Sequence, residues 1–326
     1  MNAPILVTGS SGYVGSHTVK FLVKQGEAVV GLDARPPSPQ IRRYLADHLV
    51  SDMADPSVAD FLRRTSPAGV IHCAAKCLVG ESVQNPELYF DHNVRRSRVF
   101  VEMALKARVR SLVFSSSAAV YGEPVKTPIP EEHPKNPINP YGRSKADFET
   151  FLLSDDVRTR LRVGIVRYFN AAGADPEGEI GEVHDPETHL IPNAVLAGLG
   201  VRKEFELFGT DYPTRDGTCV RDFIHVWDLA EAHRILLRRL ESGKGGEVYN
   251  LGSSDGYTVR EVLSEVGRQL GREVSTAEKP RRPGDPVVLI ADAARALKDL
   301  GWKRTLSDLP EIVATALAWH RKSRRL

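Results

Sequence analysis

Tyr141 and Lys145 stand four residues apart in the string YGRSK, a spacing that puts both side chains on one face of a helix. An ammonium held beside a phenol favours the phenolate and draws its pKa down from about 10, as a general base for an alcohol requires. The same spacing occurs by chance on many solvated helices. Ser115, Ser116 and Ser117 give it weight, because they close an apolar run about 24 residues upstream of the tyrosine. If that run is a strand of a parallel sheet, its C-terminal end is where such sheets bind ligands, and a hydroxyl there can hydrogen-bond a reacting oxygen. For Ser115 and Ser116 a loop or capping role fits as well.

A second group would bind rather than react. VTGSSGYVGSH sets Gly9, Gly12 and Gly15 between a short apolar run and a helix-length segment. Glycines so placed let backbone N–H groups and a helix N-terminus approach a pyrophosphate, whose charge the helix dipole favours. Asp33 closes the next apolar run roughly 20 residues on, where a carboxylate accepts both hydroxyls of an adenosine ribose and repels a 2′-phosphate. The pattern predicts NAD rather than NADP. Arg35 could accommodate that phosphate, but a solvated loop charge is the simpler reading. His184 and His189 lie five apart in a loop with no further ligand at a matching spacing, so no metal site is expected.

The elements that would hold these groups follow from the pattern of apolar runs. Runs at 5–8 and 28–32, runs ending at Asp52, Cys73 and Ser115, and another at 162–167 alternate with helix-length segments such as 14–25 and 141–153. Strand–helix alternation predicts a parallel sheet with right-handed crossovers. Helical periodicity over 226–240 leads into VYNLG, which reads as one more strand returning to the sheet. Gly, Pro and acidic residues crowd 171–192, and prolines punctuate the later loops. The expectation is an α/β protein. A Rossmann-type doubly wound parallel sheet would span 1–170 with a return at about 226–252, and a smaller α+β lobe would comprise 171–225 and 253–326.

Composition narrows the partners. At about 150 residues per domain, 326 residues suggest two domains. Lys and Arg number 44 against 42 Asp and Glu, a balance too even for nucleic acid or an anionic bilayer, so a small-molecule ligand is expected. Three cysteines without a CxxC pair suit a reducing compartment. With no leader-like segment and no apolar stretch near the ~20 residues of a membrane span, a cytoplasmic protein is expected.

TGSSGYVGSH, VGESV, SSSAAVYG, NPYGRSK, RYFNAAGA, ELFGTDYPTRDGTCVRDFIHVWDLA, YNLG and RRPGDP occur in the order seen in the extended short-chain dehydrogenases. Within them the chain resembles the UDP-glucose 4-epimerase family over nearly its whole length. GTDYPT with DGTCVRDFIHV is far more specific than the glycines. The resemblance implies interconversion of UDP-glucose and UDP-galactose: oxidation at C4, rotation of the 4-keto sugar and re-reduction by a retained NAD. It makes Tyr141 the acid–base group, has Lys145 hold the nicotinamide ribose, and has Ser117 share the proton path at the sugar O4.

By the same resemblance NAD would touch the glycine turn, Tyr13, Val14, Asp33, Asp52, Met53, Cys73, Ala74, Ala75, Asn93, Ser115, Tyr168 and Phe169. The nucleotide sugar would touch Asn170, His189, Leu190, Phe208, Arg221, Arg282 and Asp285. The two arginines suit a diphosphate, and Asp285 the uridine ribose. The chain departs from the family's pattern at His189, where an Asn is frequent, at Cys77, where some relatives have Lys, and in NVRRSR after Asn93. Leu289 would crowd an N-acetyl group, which favours unsubstituted hexoses over the alternative, a UDP-N-acetylglucosamine or UDP-pentose 4-epimerase. Related dehydratases and decarboxylases carry acids just after the hydroxyl residue, where this chain has Ala118 and Ala119. A redox-sensing regulator with this fold would not need Tyr141, Lys145 and Ser117. The resemblance also implies a homodimer through the helix around 95–107.

Overall fold

Apolar residues fill both faces of the first strands, as a sheet covered by helices on both sides requires. In a computed structural model that describes residues 3–282 and 285–324, the chain forms β1 (Ile5–Thr8), β2 (Val29–Asp33), β3 (Asp47–Val50), β4 (Gly69–His72), β5 (Ser111–Ser117) and β6 (Arg162–Tyr168). After these come β7 (Asn170–Ala172), β8 (Phe205–Phe208), β9 (Val220–Arg221), β10 (Phe223–His225) and β11 (Val248–Leu251). The last three are β12 (Tyr257–Thr258), β13 (Thr276–Lys279) and β14 (Val288–Leu289). Residues 283–284 of the RRPGDP string lie outside the described residues.

Seven strands make one parallel sheet in the order β11-β6-β5-β4-β1-β2-β3. This is the doubly wound Rossmann-type arrangement the sequence predicts. The order reverses between β1 and β4, which opens a crevice above their C-terminal ends. One face is covered by the Tyr13–Lys24 and Val226–Glu241 helices, whose Val19, Leu22, Leu229 and Leu236 pack with Ile5 and Val7. The other is covered by the Ser57–Thr65, Ser97–Lys106 and Pro140–Leu152 helices, where Phe61, Phe100 and Phe148 meet Leu6, Val70 and Leu112.

The remaining strands form small sheets above that crevice. β7 pairs with β10, β9 lies between β12 and β14, and β8 pairs with β13. Val195, Leu207, Phe223, Val262 and Ile312 give this part its own core. Only Phe169 separates β6 from β7, and β10 runs straight into the Val226–Glu241 helix, so both junctions lie beside the crevice. Among the described residues no helix is long and apolar enough to cross a membrane.

Candidate active site

The first turn is shaped by what cannot fit in it. Gly9 has φ +69°, and a Cβ there would stand 2.7 Å from the Ala74 nitrogen. A Cβ on Gly15 would collide with the Gly9 carbonyl. Gly12 precedes the Tyr13–Lys24 helix without a side-chain cap, so the N–H groups of its first turn remain available. Asp33, at the end of β2, accepts hydrogen bonds from the Ser11 and Arg35 backbone nitrogens, each at 2.9 Å, which fixes its carboxylate beside the turn. A cradle that excludes Cβ atoms, an uncapped helix N-terminus and a fixed carboxylate suit the pyrophosphate and ribose of NAD. The Arg35 side chain is 72% exposed, as a solvated loop charge should be.

Other residues expected at the cofactor flank this cradle, with differences in detail. Ala74 donates to Thr8 Oγ1 at 3.3 Å, and Cys73 and Ala75 sit with it just past β4. Val14 packs into the sheet core, and the Tyr13 hydroxyl donates to the Gly173 carbonyl at 2.7 Å, bridging to the segment after β7. Met53 is buried. Asp52 is engaged by Arg96 at 2.6 Å, and Arg96 also holds Asp91 at 2.7 Å. This pairing across 44 residues was invisible in sequence. It rests on a wide-turned stretch, Asp91–Arg96, ahead of the Ser97–Lys106 helix. The Asn93 amide bonds the Lys76 nitrogen and carbonyl and Ser144 Oγ, tying the loop after β4 to the helix that carries Tyr141.

That helix starts where the sequence dictates. Asn139 accepts from the Gly142 nitrogen at 2.8 Å, and Pro140 occupies the first turn. Tyr141 and Lys145 are both buried against the end of β5. The Lys145 ammonium donates to the Ser115 carbonyl at 2.8 Å and lies over the Phe114 ring, 4.7 Å from its centre. Burial pushes the Tyr141 phenol well above its ordinary pKa, Cys77 adds to the rise, and a hydrogen bond with Ser117 opposes it. Burial also draws Lys145 down to about 8, against the charges of Cys77, Cys73 and Glu149.

The expected fall in the phenol's pKa is therefore absent from the chain by itself. Four-residue spacing aligns the two side chains, but burial dominates the phenol and the ammonium is directed at the Ser115 carbonyl on the strand. Tyr168 is likewise pushed up by burial, while buried Phe169 packs with Ala118 and, at its edge, Leu289. Ser115 also bonds His233 at 3.2 Å, and Ser116 is held by Glu149 at 2.6 Å. Of the three serines, Ser117 is the one whose hydroxyl counters the rise in the tyrosine's pKa.

On the far side of the crevice the structure pairs residues that the sequence treated singly. Arg221 donates to Asp285 at 2.7 Å and to the Pro286 carbonyl at 2.8 Å. Arg282 lies over the Phe208 ring, 3.8 Å from its centre. Asn170 donates to the Asp222 carbonyl at 2.7 Å. Leu190 opens the Leu190–Gly198 helix just after His189.

His189 is not a lone lining residue. Its Nδ1 stands 2.9 Å from Glu182 and 3.1 Å from Glu187, with His184 packed alongside at 4.8 Å between ring centres. Burial lowers its pKa, but the two carboxylates outweigh this and raise it to about 10; the same two carboxylates raise His184 to about 9. The expectation of no further ligand beside the two histidines is corrected here. The loop folds Glu182 and Glu187 onto them, and the signal was EVHDPETH, with five His, Asp or Glu residues in eight, four of which converge.

A doubly wound sheet, a Cβ-free turn at its switch point and a buried Tyr–Ser pair beside a lysine define a dinucleotide-dependent enzyme of the short-chain dehydrogenase class. Residues 5–252 match the model of the NAD dependent epimerase/dehydratase family. Over 320 residues, 98% of this chain and 96% of the relative, the chain is 43% identical to the UDP-glucose 4-epimerase of Halalkalibacterium halodurans. A crystal structure of UDP-glucose 4-epimerase from Brucella ovis in complex with NAD aligns with a TM-score of 0.93 at 42% identity, covering 97% of this chain and 98% of that one. Another, from Stenotrophomonas maltophila with bound NAD and formylated UDP-arabinopyranose, aligns at 0.94 and 37%, covering 99% of each. The chain belongs to the NAD-dependent epimerase/dehydratase family.

Proposed function

We propose that this protein is an isomerase that interconverts UDP-glucose and UDP-galactose with a retained NAD. The carrying observation is the buried Tyr141 phenol, with Ser117 acting on it, beside the switch-point cradle, and with Ala118 and Ala119 following Ser117 where elimination chemistry would need an acid. Bound NAD would supply the hydride acceptor and donor for C4 and a cationic ring near the phenol. Tyr141 takes the proton of the sugar 4-hydroxyl while Ser117 holds O4, and Lys145 grips the cofactor ribose. After the 4-keto sugar rotates about its link to the diphosphate, Tyr141 returns the proton to O4 on the inverted centre.

Residues 1–170, with the return at about 226–252, hold NAD in this reading, and 171–225 with 253–326 hold the nucleotide sugar. Arg221 and Arg282 bind the diphosphate, Asp285 being placed to share Arg221 with the uridine ribose. Leu289, at the edge of the cluster that contains Ala118 and Phe169, restricts the space beside the sugar 2-substituent. The protein acts in the cytoplasm, in keeping with three free cysteines. Two copies pair through the Ser97–Lys106 helix, where Val99 is 45% exposed.

The test is to incubate the protein as isolated, without added NAD, with UDP-galactose and separate the products. UDP-glucose should form, and UDP-N-acetylglucosamine should turn over more slowly. Failure to convert UDP-galactose even with NAD supplied would overturn the reading, and light scattering at a monomer mass would remove the dimer.

A further inference from the structure

Two imidazoles and two carboxylates converge in the loop between β7 and the Leu190–Gly198 helix. Besides the His189 distances of 2.9 and 3.1 Å, His184 Nδ1 stands 3.3 Å from Glu182 and 3.6 Å from Glu187. All four donor atoms lie within 4.8 Å of one another. A tetrahedral ion with bonds of about 2.0–2.2 Å to nitrogen and oxygen separates neighbouring donors by roughly 3.3–3.6 Å. The nitrogen–oxygen separations are thus close to those of ligands around one centre.

Charge is compatible with the same reading. The Glu182 and Glu187 side chains are 5% and 7% exposed, and among the described residues neither forms an ion pair with a lysine or arginine. His184 Nδ1 is shielded from solvent without a well-formed hydrogen bond. Two buried negative charges call for two positive ones: protonated imidazoles supply them when no ion is bound, and a divalent cation between neutral imidazoles would supply them in their place. The acidic trio Asp175, Glu177 and Glu179 differs, because the Lys20 ammonium already sits among its oxygens.

We infer that Glu182, His184, Glu187 and His189 form a site for a zinc-class divalent transition metal that clamps this loop. Imidazole and carboxylate donors suit such an ion, and four protein ligands leave no open position, so its role is structural. The clamp fixes the segment leading into His189 and Leu190, on the proposed sugar side of the crevice.

The holoenzyme, produced in zinc-supplemented medium and desalted, should carry about one zinc per chain by elemental mass spectrometry. Cobalt(II) added to metal-stripped holoenzyme should give the visible absorption of a four-coordinate ion. Glu182→Gln and His184→Gln should each reduce zinc occupancy by about tenfold or more while NAD stays bound. A parent protein with only trace zinc and no cobalt absorption would overturn the site, as would variants that retain the parent's zinc. If the variants do not fold, the cobalt titration of the parent decides. None of these readouts involves turnover, so their failure leaves the epimerase reading standing.

Discussion

Tyr141 is a phenol whose burial works against its proposed task, and its one favourable neighbour in the chain is the Ser117 hydroxyl. Removing the hydroxyl tests the assignment most directly. Tyr141→Phe should lower kcat by about 10²–10⁴-fold, the usual share of a general acid–base group, while the purified protein keeps its NAD. Wild-type turnover in that variant would refute the assignment. Lys145 offers a test by pH. Its pKa is drawn down to about 8, so in the cofactor-stripped chain holding it protonated costs about 3 kcal/mol at neutral pH. The folded state binds fewer protons than the unfolded one between about 8 and the ordinary 10.5, so this penalty fades as pH rises through that window. Lys145→Met should therefore raise the Tm of the stripped protein at pH 7 and lose that advantage by about pH 10. An advantage that does not change with pH would contradict the buried charge.

At the scale of elements, the helix bearing Tyr141 is fixed by more than its own capping. Glu149, two turns beyond Tyr141, accepts from Ser116 on β5 at 2.6 Å and from Arg167 on β6 at 2.7 and 2.9 Å. Arg167 in turn donates to the Tyr121 hydroxyl at 2.9 Å, and Tyr121 to Asn250 on β11 at 2.6 Å. Glu149 and Arg167 side chains are 0% and 5% exposed, so Glu149→Gln strands a buried cation. A loss of about 3–5 kcal/mol is expected, read as a lower midpoint in chemical denaturation. An unchanged midpoint would mean that the network does not anchor the helix. The first turn makes a complementary prediction. Gly15→Ala drives a methyl into the Gly9 carbonyl and should yield a protein that is isolated without NAD. Full cofactor retention would show that the turn can shift to admit the side chain.

For the whole molecule, the crevice is bounded by two cores joined at β6–β7 and β10, so a ligand filling it should tie them together further. Stripping NAD should lower the Tm, and restoring it at about 100 times its Kd should recover about 3 kcal/mol. A Tm indifferent to NAD would place the cofactor's binding energy elsewhere.

Signals that act within a few residues were legible without coordinates. The parallel sheet follows from apolar runs alternating with helical periods, the first turn from its glycines, and the start of the helix bearing Tyr141 from Asn139 and Pro140, because each is a local steric or hydrogen-bonding preference. Tertiary structure alone decided which charges meet and how dry they are. Asp52 with Arg96, Arg221 with Asp285, and Glu149 with Arg167 join positions far apart in the chain. The Glu182–His189 quartet needed a loop fold that no periodicity encodes. The direction of the Tyr141 shift turned on burial, a property of the packed whole, so spacing could point to a candidate base but not to its acidity.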